Sequence, residues 1–320
     1  VAQAISLTDT VSTLPDIFVL QKDEEVTLIG KDFHVGFNKK TGSISALAYG
    51  NNQLIEGAEK GLLLNIYRAP LDNDREKDWG NAIPWEKEGY DSLSYHVNDF
   101  NINNGDRKSV QITSAIAAET KSGYRVNMNM VYTIYGNGII HVSAFINPEQ
   151  NKGLPLARIG FSMALNAGNE QLEWLGRGPH ENYADRKEAA FLGRYRNTVA
   201  NMADHYMRPQ SMGNREDTKW IKLTGNDNRG LVFLADDKLN FSALHYTEQD
   251  LHKAKHPFEL EERPETILNI DYAQRGLGNG SCGPVTLPNY QLEKKPINFS
   301  FSILPYNAAY GDVADYVRRF

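Results

Sequence analysis

From Tyr124 to Tyr135, apolar and polar side chains largely alternate. Tyr124, Val126, Met128, Met130, Tyr132 and Ile134 occupy one set of positions, and Arg125, Asn127, Asn129 and Thr133 the other. A period of two over that length predicts a β-strand with one buried face, because successive side chains of an extended chain project to opposite sides. Gly136-Asn-Gly138 then returns the chain into Ile140, Val142, Ala144 and Ile146, which predicts a hairpin. Near the C-terminus, Phe299, Phe301 and Ile303 against Asn298, Ser300 and Ser302 predict another strand. Turn chemistry recurs between such runs, at Lys40-Thr-Gly42, Tyr49-Gly-Asn-Asn52, Asn104-Gly105, Ser122-Gly123 and 225–230. Helical patterning is confined to short stretches. Thr247-Glu-Gln-Asp250 has the form of a capping box opening a helix through Lys255, stopped by Pro257. Val313, Tyr316, Val317 and Phe320 follow helical spacing behind a cap at Asp312. The pattern predicts an all-β fold: a large antiparallel β-sandwich with a few short helices.

Composition narrows the function classes. The chain has 320 residues, 41% of them hydrophobic and 23% charged, as expected of a globular protein with ample core. A net charge of −6 without a Lys/Arg cluster argues against a nucleic-acid or anionic-membrane partner. No run approaches the roughly 18 apolar residues that a membrane span needs. The single cysteine, Cys282, excludes an internal disulfide. Residues 1–20 are polar and rich in Thr and Ser, and read as a linker or the tail of a preceding domain, with one domain over 21–320. The start at Val1, without Met or a signal-peptide pattern, suggests a fragment of a longer polypeptide. The compartment, cytoplasm or a periplasm-like space, stays open.

Three stretches concentrate chemistry. Residues 173–186 hold Gly176, Gly178 and Pro179 among six acidic, basic or histidine side chains, which predicts a sharply shaped loop. In one reading Glu181 and Asp185, with His180, form an acid/base or sugar-binding pair, since glycoside hydrolysis needs two carboxyls roughly 5–9 Å apart. In the other they pair with Arg177 and Arg186 and hold loop backbone. Nothing in the spacing marks either carboxyl for a raised pKa, which favours the second reading. Around Asp72 and Asp74 the spacing of a calcium loop is incomplete, so no metal site is expected. Trp79 and Trp85 lie in a polar stretch that suits a surface lid, where indoles could stack on a pyranose; burial of both is the competing expectation. Residues 271–284 hold four glycines within eight positions, allowing close backbone approach to a ligand or neighbouring domain. The run lacks the Gly-Lys-Ser/Thr ending of a phosphate cradle, and Cys282 has no nearby His to act as its base.

Taken in order, Arg68-Ala-Pro-Leu-Asp-Asn-Asp74, Trp174-Leu-Gly-Arg-Gly-Pro-His-Glu-Asn-Tyr183 with Asp185-Arg186, Tyr206-Met-Arg-Pro-Gln210 with Gly213-Asn-Arg215, and Gly276-Leu-Gly278 with Ser281-Cys-Gly-Pro284 form a recognisable series. The chain resembles the C-terminal small-chain domain of the large bacterial β-galactosidases of glycoside hydrolase family 2, from about Glu25 to about Tyr306. The resemblance implies a supersandwich akin to galactose mutarotase. It also implies that no residue here is catalytic: the two glutamates of the retaining mechanism lie on an upstream TIM barrel, so this chain alone should be inactive. Its implied partners are that barrel and the upstream β-sandwich domains of the same polypeptide, a galactoside sugar, and further copies in a homo-oligomer. No cofactor is implied here, Mg²⁺ and a monovalent cation belonging to the barrel. Arg275, Gly276, Gly278, Ser281 and Cys282 are implied to form a loop lining the substrate pocket, with Trp79 and Trp85 on a possible lid.

In the best-known members a sugar-stacking tryptophan occupies the position of Cys282; other members look to carry Cys there as well. Arg177, Pro179, Glu181, Asn182, Tyr183, Asp185 and Arg186 are implied to be a structural signature. Ser211-Met212 departs from the usual Glu-Asn. Two other classes remain open. One is a stand-alone carbohydrate-binding module. The other is a mutarotase-like aldose epimerase using His141, His180 or His245 with Glu181 or Glu259.

Overall fold

The computed structural model describes residues 13–75 and 80–320. Its strands are β1 (Phe18–Gln21), β2 (Glu25–Ile29), β3 (Phe33–Asn38), β4 (Ser43–Tyr49), β5 (Asn52–Glu56), β6 (Leu63–Asn65), β7 (Ser94–Asn103), β8 (Ser109–Glu119) and β9 (Arg125–Tyr135). They continue as β10 (Ile140–Pro148), β11 (Arg158–Leu165), β12 (Gln171–Gly178), β13 (Phe191–Thr198), β14 (Arg215–Thr224), β15 (Gly230–Leu244), β16 (Thr266–Gln274) and β17 (Ile297–Tyr306). Three short helices, α1 (Ala82–Glu88), α2 (Glu248–Lys253) and α3 (Val313–Val317), complete the described fold with several 3-10 turns. No helix is long and apolar enough to cross a membrane.

The expected turns each join neighbouring antiparallel strands: β3–β4, β4–β5, β7–β8, β8–β9, β9–β10 and β14–β15. In β9 the even-numbered positions are buried, as the alternation requires. Helix α2 has the expected capping box, with Thr247 and Asp250 exchanging side-chain and backbone bonds.

A five-stranded sheet, β1 to β5 in order, faces a 12-stranded antiparallel sheet. Phe37 of the small sheet meets Tyr132 of β9 edge-on at 5.1 Å between ring centroids. The large sheet branches at β15. Gly230–Ala235 pair with β17, whereas Asn240–Leu244 pair with β16, which leads on to β11 and β6. Phe161 of β11 stacks on Phe299 of β17 at 6.2 Å, so this arm closes over the same core. Burial of large side chains such as these contributes roughly 1.5–3 kcal/mol each.

Two expectations need correction. The boundary expected at residue 20 falls inside the fold, because β1 pairs with β2 and Ile17 is buried. The remainder of that expected linker, residues 1–12, lies outside the described residues. Secondly, 173–186 is not all loop: Glu173 to Gly178 belong to β12, between β13 and β14. Its glycines provide space. A Cβ at Gly176 would sit 2.4 Å from Thr218 Oγ1, and one at Gly178 2.9 Å from Tyr195. Only from Pro179 does the chain leave the sheet.

Candidate functional site: a clasped glycine-rich loop

Beyond β16 the backbone enters the glycine-rich run under close restraint. The Arg275 amide donates to Ala157 O (2.9 Å) and the Gly276 amide to Tyr290 O (2.9 Å). At Gly276 a Cβ would lie 2.7 Å from Asp185 Cγ, and Gly278 holds φ +65° against Thr286. These positions demand glycine because carboxylate and backbone come too close for any side chain.

Asp185 holds the loop from one side. Its two oxygens accept from the amides of Leu277 (3.0 Å) and Gly278 (2.8 Å). Arg186 donates to Gly278 O and to Asn279 Oδ1. From the other side Asn73 donates to the carbonyls of Leu277 (3.2 Å) and Gly278 (2.7 Å), while its Oδ1 accepts from the Ser281 amide (3.0 Å) and hydroxyl (2.7 Å). Arg68 forms a two-point pair with Asp74 and donates to Arg275 O (2.7 Å). Leu71, Tyr183 and Leu277 form a small apolar contact beneath. Cys282 remains exposed near the tip.

The other motifs are tied to the same assembly. Glu181 accepts from the hydroxyls of Tyr206 and Tyr183 and from the Gly213 amide. Asn182 accepts from the Glu216 amide (2.9 Å), and its backbone carbonyl takes the amide side chain of Asn214 (2.8 Å). Arg177 reaches Asp217 (2.7 Å) and the carbonyls of Lys187 and Ala190. Pro179, though part of the motif, is exposed at the exit of the strand. Glu181 and Asp185 therefore each occupy their oxygens with separate loop partners rather than facing one another as an acid/base pair.

Trp85 does not present an indole to solvent. It is buried in α1, donates to Pro155 O (2.8 Å) and lies under the Arg68 guanidinium. The lid expectation for Trp85 is thus corrected: its ring is wanted by the core, where a large aromatic surface is removed from water. Trp79 lies outside the described residues. Two of the histidines considered for epimerase chemistry, and one of the carboxylates, have partners of their own. His245 pairs with Glu170 (2.6 Å) and His141 meets Ser302 (3.1 Å), while Glu259 accepts from the Lys255 amide.

The family profile described as "Beta galactosidase small chain" matches residues 29–303. This chain belongs to that family. The small-chain domain is 29% identical over 292 residues to a β-galactosidase of Staphylococcus xylosus, covering 90% of this chain and 28% of that one. To the β-galactosidase of Kluyveromyces lactis it is 27% identical over 284 residues, covering 87% and 27%. The domain thus spans little more than a quarter of the length of such curated relatives. Among solved structures, galactose 1-epimerase from Lactobacillus acidophilus NCFM aligns with 92% of this chain and 99% of its own, at 11% identity and a TM-score of 0.45.

Sequence reasoning missed two charged clusters of this small-chain domain. In the first, Arg158 of β11, fully buried, forms ion pairs with Asp271 of β16 and Glu248 of α2. Glu248 also accepts from the Ala69 amide (2.7 Å) and the Ser211 hydroxyl (3.2 Å). The unusual Ser211 is thereby built into the network, and Met212 beside it is buried, its Sδ facing the Asp204 amide. A signal existed: Asp271 is a charge directly following the apolar run of β16.

The second cluster lies where β14 shifts register and Asp217 takes φ 52°. Burial would raise the Asp217 carboxyl, but hydrogen bonds from Lys238, Arg177 and Lys187 hold it well below the usual range. Neighbouring Glu216 is buried, and desolvation, opposed by Lys187 and reinforced by Asp217, raises its pKa to about 7. An acid whose pKa is raised on folding binds more protons native than unfolded, so its contribution is greatest below about pH 4.5 and lost as pH rises towards 7. Glu216→Gln should therefore flatten the fall in stability over that window and make the domain more stable than wild type at pH 8, by about 2 kcal/mol. Urea unfolding at pH 5 and pH 8 measures it. An unchanged difference between the two pH values would refute the assignment.

Proposed function

We propose that this domain forms one wall of the substrate pocket of a β-galactosidase that removes terminal β-D-galactosyl groups. The glycine-rich loop is the part that faces the sugar. The observation carrying this reading is the clasp: the motifs around Asn73 and Asp185 both bond to residues 276–281, the Tyr206–Arg215 motif is tied to Glu181 beside them, and Cys282 stands exposed near the tip. A backbone loop held from both sides by Asp185 and Asn73 is preorganised, so it can position a ligand without losing loop entropy on binding.

In this proposal the carboxylates of a retaining glycosidase are supplied by the part of the polypeptide upstream, together with the Mg²⁺ and monovalent cation of its barrel. Ser281 and Cys282, exposed at the end of the loop, form the wall that the galactoside meets, and the buried Arg275, Gly276 and Gly278 set the course of the backbone behind them. Supporting this division, Glu181 and Asp185 are occupied by tyrosines and backbone amides. The 320-residue chain should fold, yet give no turnover of an aryl β-galactoside and only weak binding of galactose by calorimetry. Clear turnover by the purified chain would sink this reading, and tight binding of free galactose would instead favour an independent carbohydrate-binding module.

A further inference from the structure

Four arginines are buried among the described residues: Arg68, Arg158, Arg215 and Arg275. Three have acceptors. Arg68 is held by Asp74 and loop carbonyls, Arg158 by Asp271 and Glu248, and Arg215 by Asn214 O while it lies over the Trp174 ring. Arg275 differs. It is 6% exposed, and its Nε and Nη1 are shut off from solvent with no hydrogen-bond partner. No ion pair of its side chain forms among the described residues.

This is not a free side chain on a loose loop. The Arg275 amide is bonded to Ala157 O, and its carbonyl accepts from Arg68. The nearby carboxylate is already in use: both oxygens of Asp74 accept from Arg68, and one also takes the Leu71 amide. Two buried guanidiniums therefore share the field of one carboxylate. Desolvation, and then the charge of Arg68, lower the Arg275 pKa. Burying a charged donor without an acceptor is strongly unfavourable, and a nearby partner of opposite charge relieves the excess charge.

We propose that Arg275 is the seat for a carboxylate side chain carried by the part of the polypeptide outside these 320 residues, so that the loop is completed by docking of the neighbouring domain. A guanidinium presents a planar fork of donors matched to a carboxylate; a neutral sugar oxygen would satisfy one donor but leave the charge. The source is supported by length, since this chain spans 26% to 28% of such curated relatives. The inference rests on the reading that the glycine-rich loop faces the catalytic part of a β-galactosidase.

The test is the sign of one substitution in two contexts. In the 320-residue chain, Arg275→Met keeps the length and removes a buried charge that has no partner there. It should raise the melting temperature by about 2–4 °C. Arg68→Met, which strands Asp74, should lower it. In the complete polypeptide Arg275→Met should instead lower the melting temperature and weaken the association between domains. A fall in the isolated chain comparable to that of Arg68→Met would mean that the acceptor lies within these residues, and would overturn the proposal. So would a complete polypeptide whose melting temperature is unchanged while only KM for an aryl β-galactoside rises, which would make the sugar the acceptor. Turnover by the isolated chain is a separate outcome, and sinks the functional reading whatever the melting temperatures show.

Discussion

Arg158→Ala is expected to destabilise the domain by about 3–5 kcal/mol, enough to prevent folding if the margin is ordinary. Arg158 has no exposure, and its guanidinium is shared between Asp271, which is also fully buried, and Glu248. Removing it strands two carboxylates. Burial already raises the Asp271 pKa even with Arg158 present, so the substitution would force protonation or water entry. The damage would spread, because the network ties β11 and β16 to α2 and, through Ala69 and Ser211, to the loops beneath the clasp. Arg158→Lys should be intermediate, since an ammonium keeps the charge but cannot span both carboxylates with the same donors. Urea unfolding of both variants is the measurement. A loss below about 1 kcal/mol for the alanine variant would show that the network is replaceable.

Asp185→Ala should release the glycine-rich loop while leaving the sheets intact. Its two oxygens are the acceptors for the amides of Leu277 and Gly278, and a hydrogen bond to a charged group contributes about 1.5–3 kcal/mol. Hydrogen exchange at those two amides should accelerate about 10- to 100-fold, with little change in β9 or β10. On the proposal that this loop forms a pocket wall, kcat/KM of a complete β-galactosidase should fall about 10- to 100-fold, because an ångström of misplacement there is enough to cost that much. Asp185→Asn, retaining one acceptor oxygen, should fall between. Unchanged exchange at Leu277 and Gly278 would show that Asn73 and Arg186 hold the loop without Asp185.

The fold was legible where one rule governed a long run. Alternation from Tyr124 to Tyr135 places every buried residue of β9 correctly, since a strand with one solvated face must alternate. Turn chemistry likewise located the hairpins, and Thr247 with Asp250 located α2. Misreadings arose where one residue type serves two ends. Gly176 and Gly178 suggested a loop, but they sit in a strand because Thr218 and Tyr195 press against it. Trp85, in a charged stretch, suggested exposure; its indole is instead drawn into the core beside Arg68 and Pro155. Residues 18–20 suggested linker because so short an edge strand carries little pattern, and only its pairing with β2 defines it.

By itself the sequence determined the fold class, most hairpins, the absence of a disulfide, and membership of the small-chain family through four ordered motifs. These are local or additive properties, set by side-chain period, turn preference and composition. Only the tertiary structure decided what the motifs do together. Asn73, Asp185 and Ser281 are far apart in the chain, yet their bonds meet on one loop. The same holds for the Arg158–Asp271–Glu248 network and for the unpartnered donors of Arg275. Whether a charge is paired depends on which groups the folded backbone brings within about 3 Å and whether water is excluded there, and neither distance nor burial is a property of residues taken along the chain.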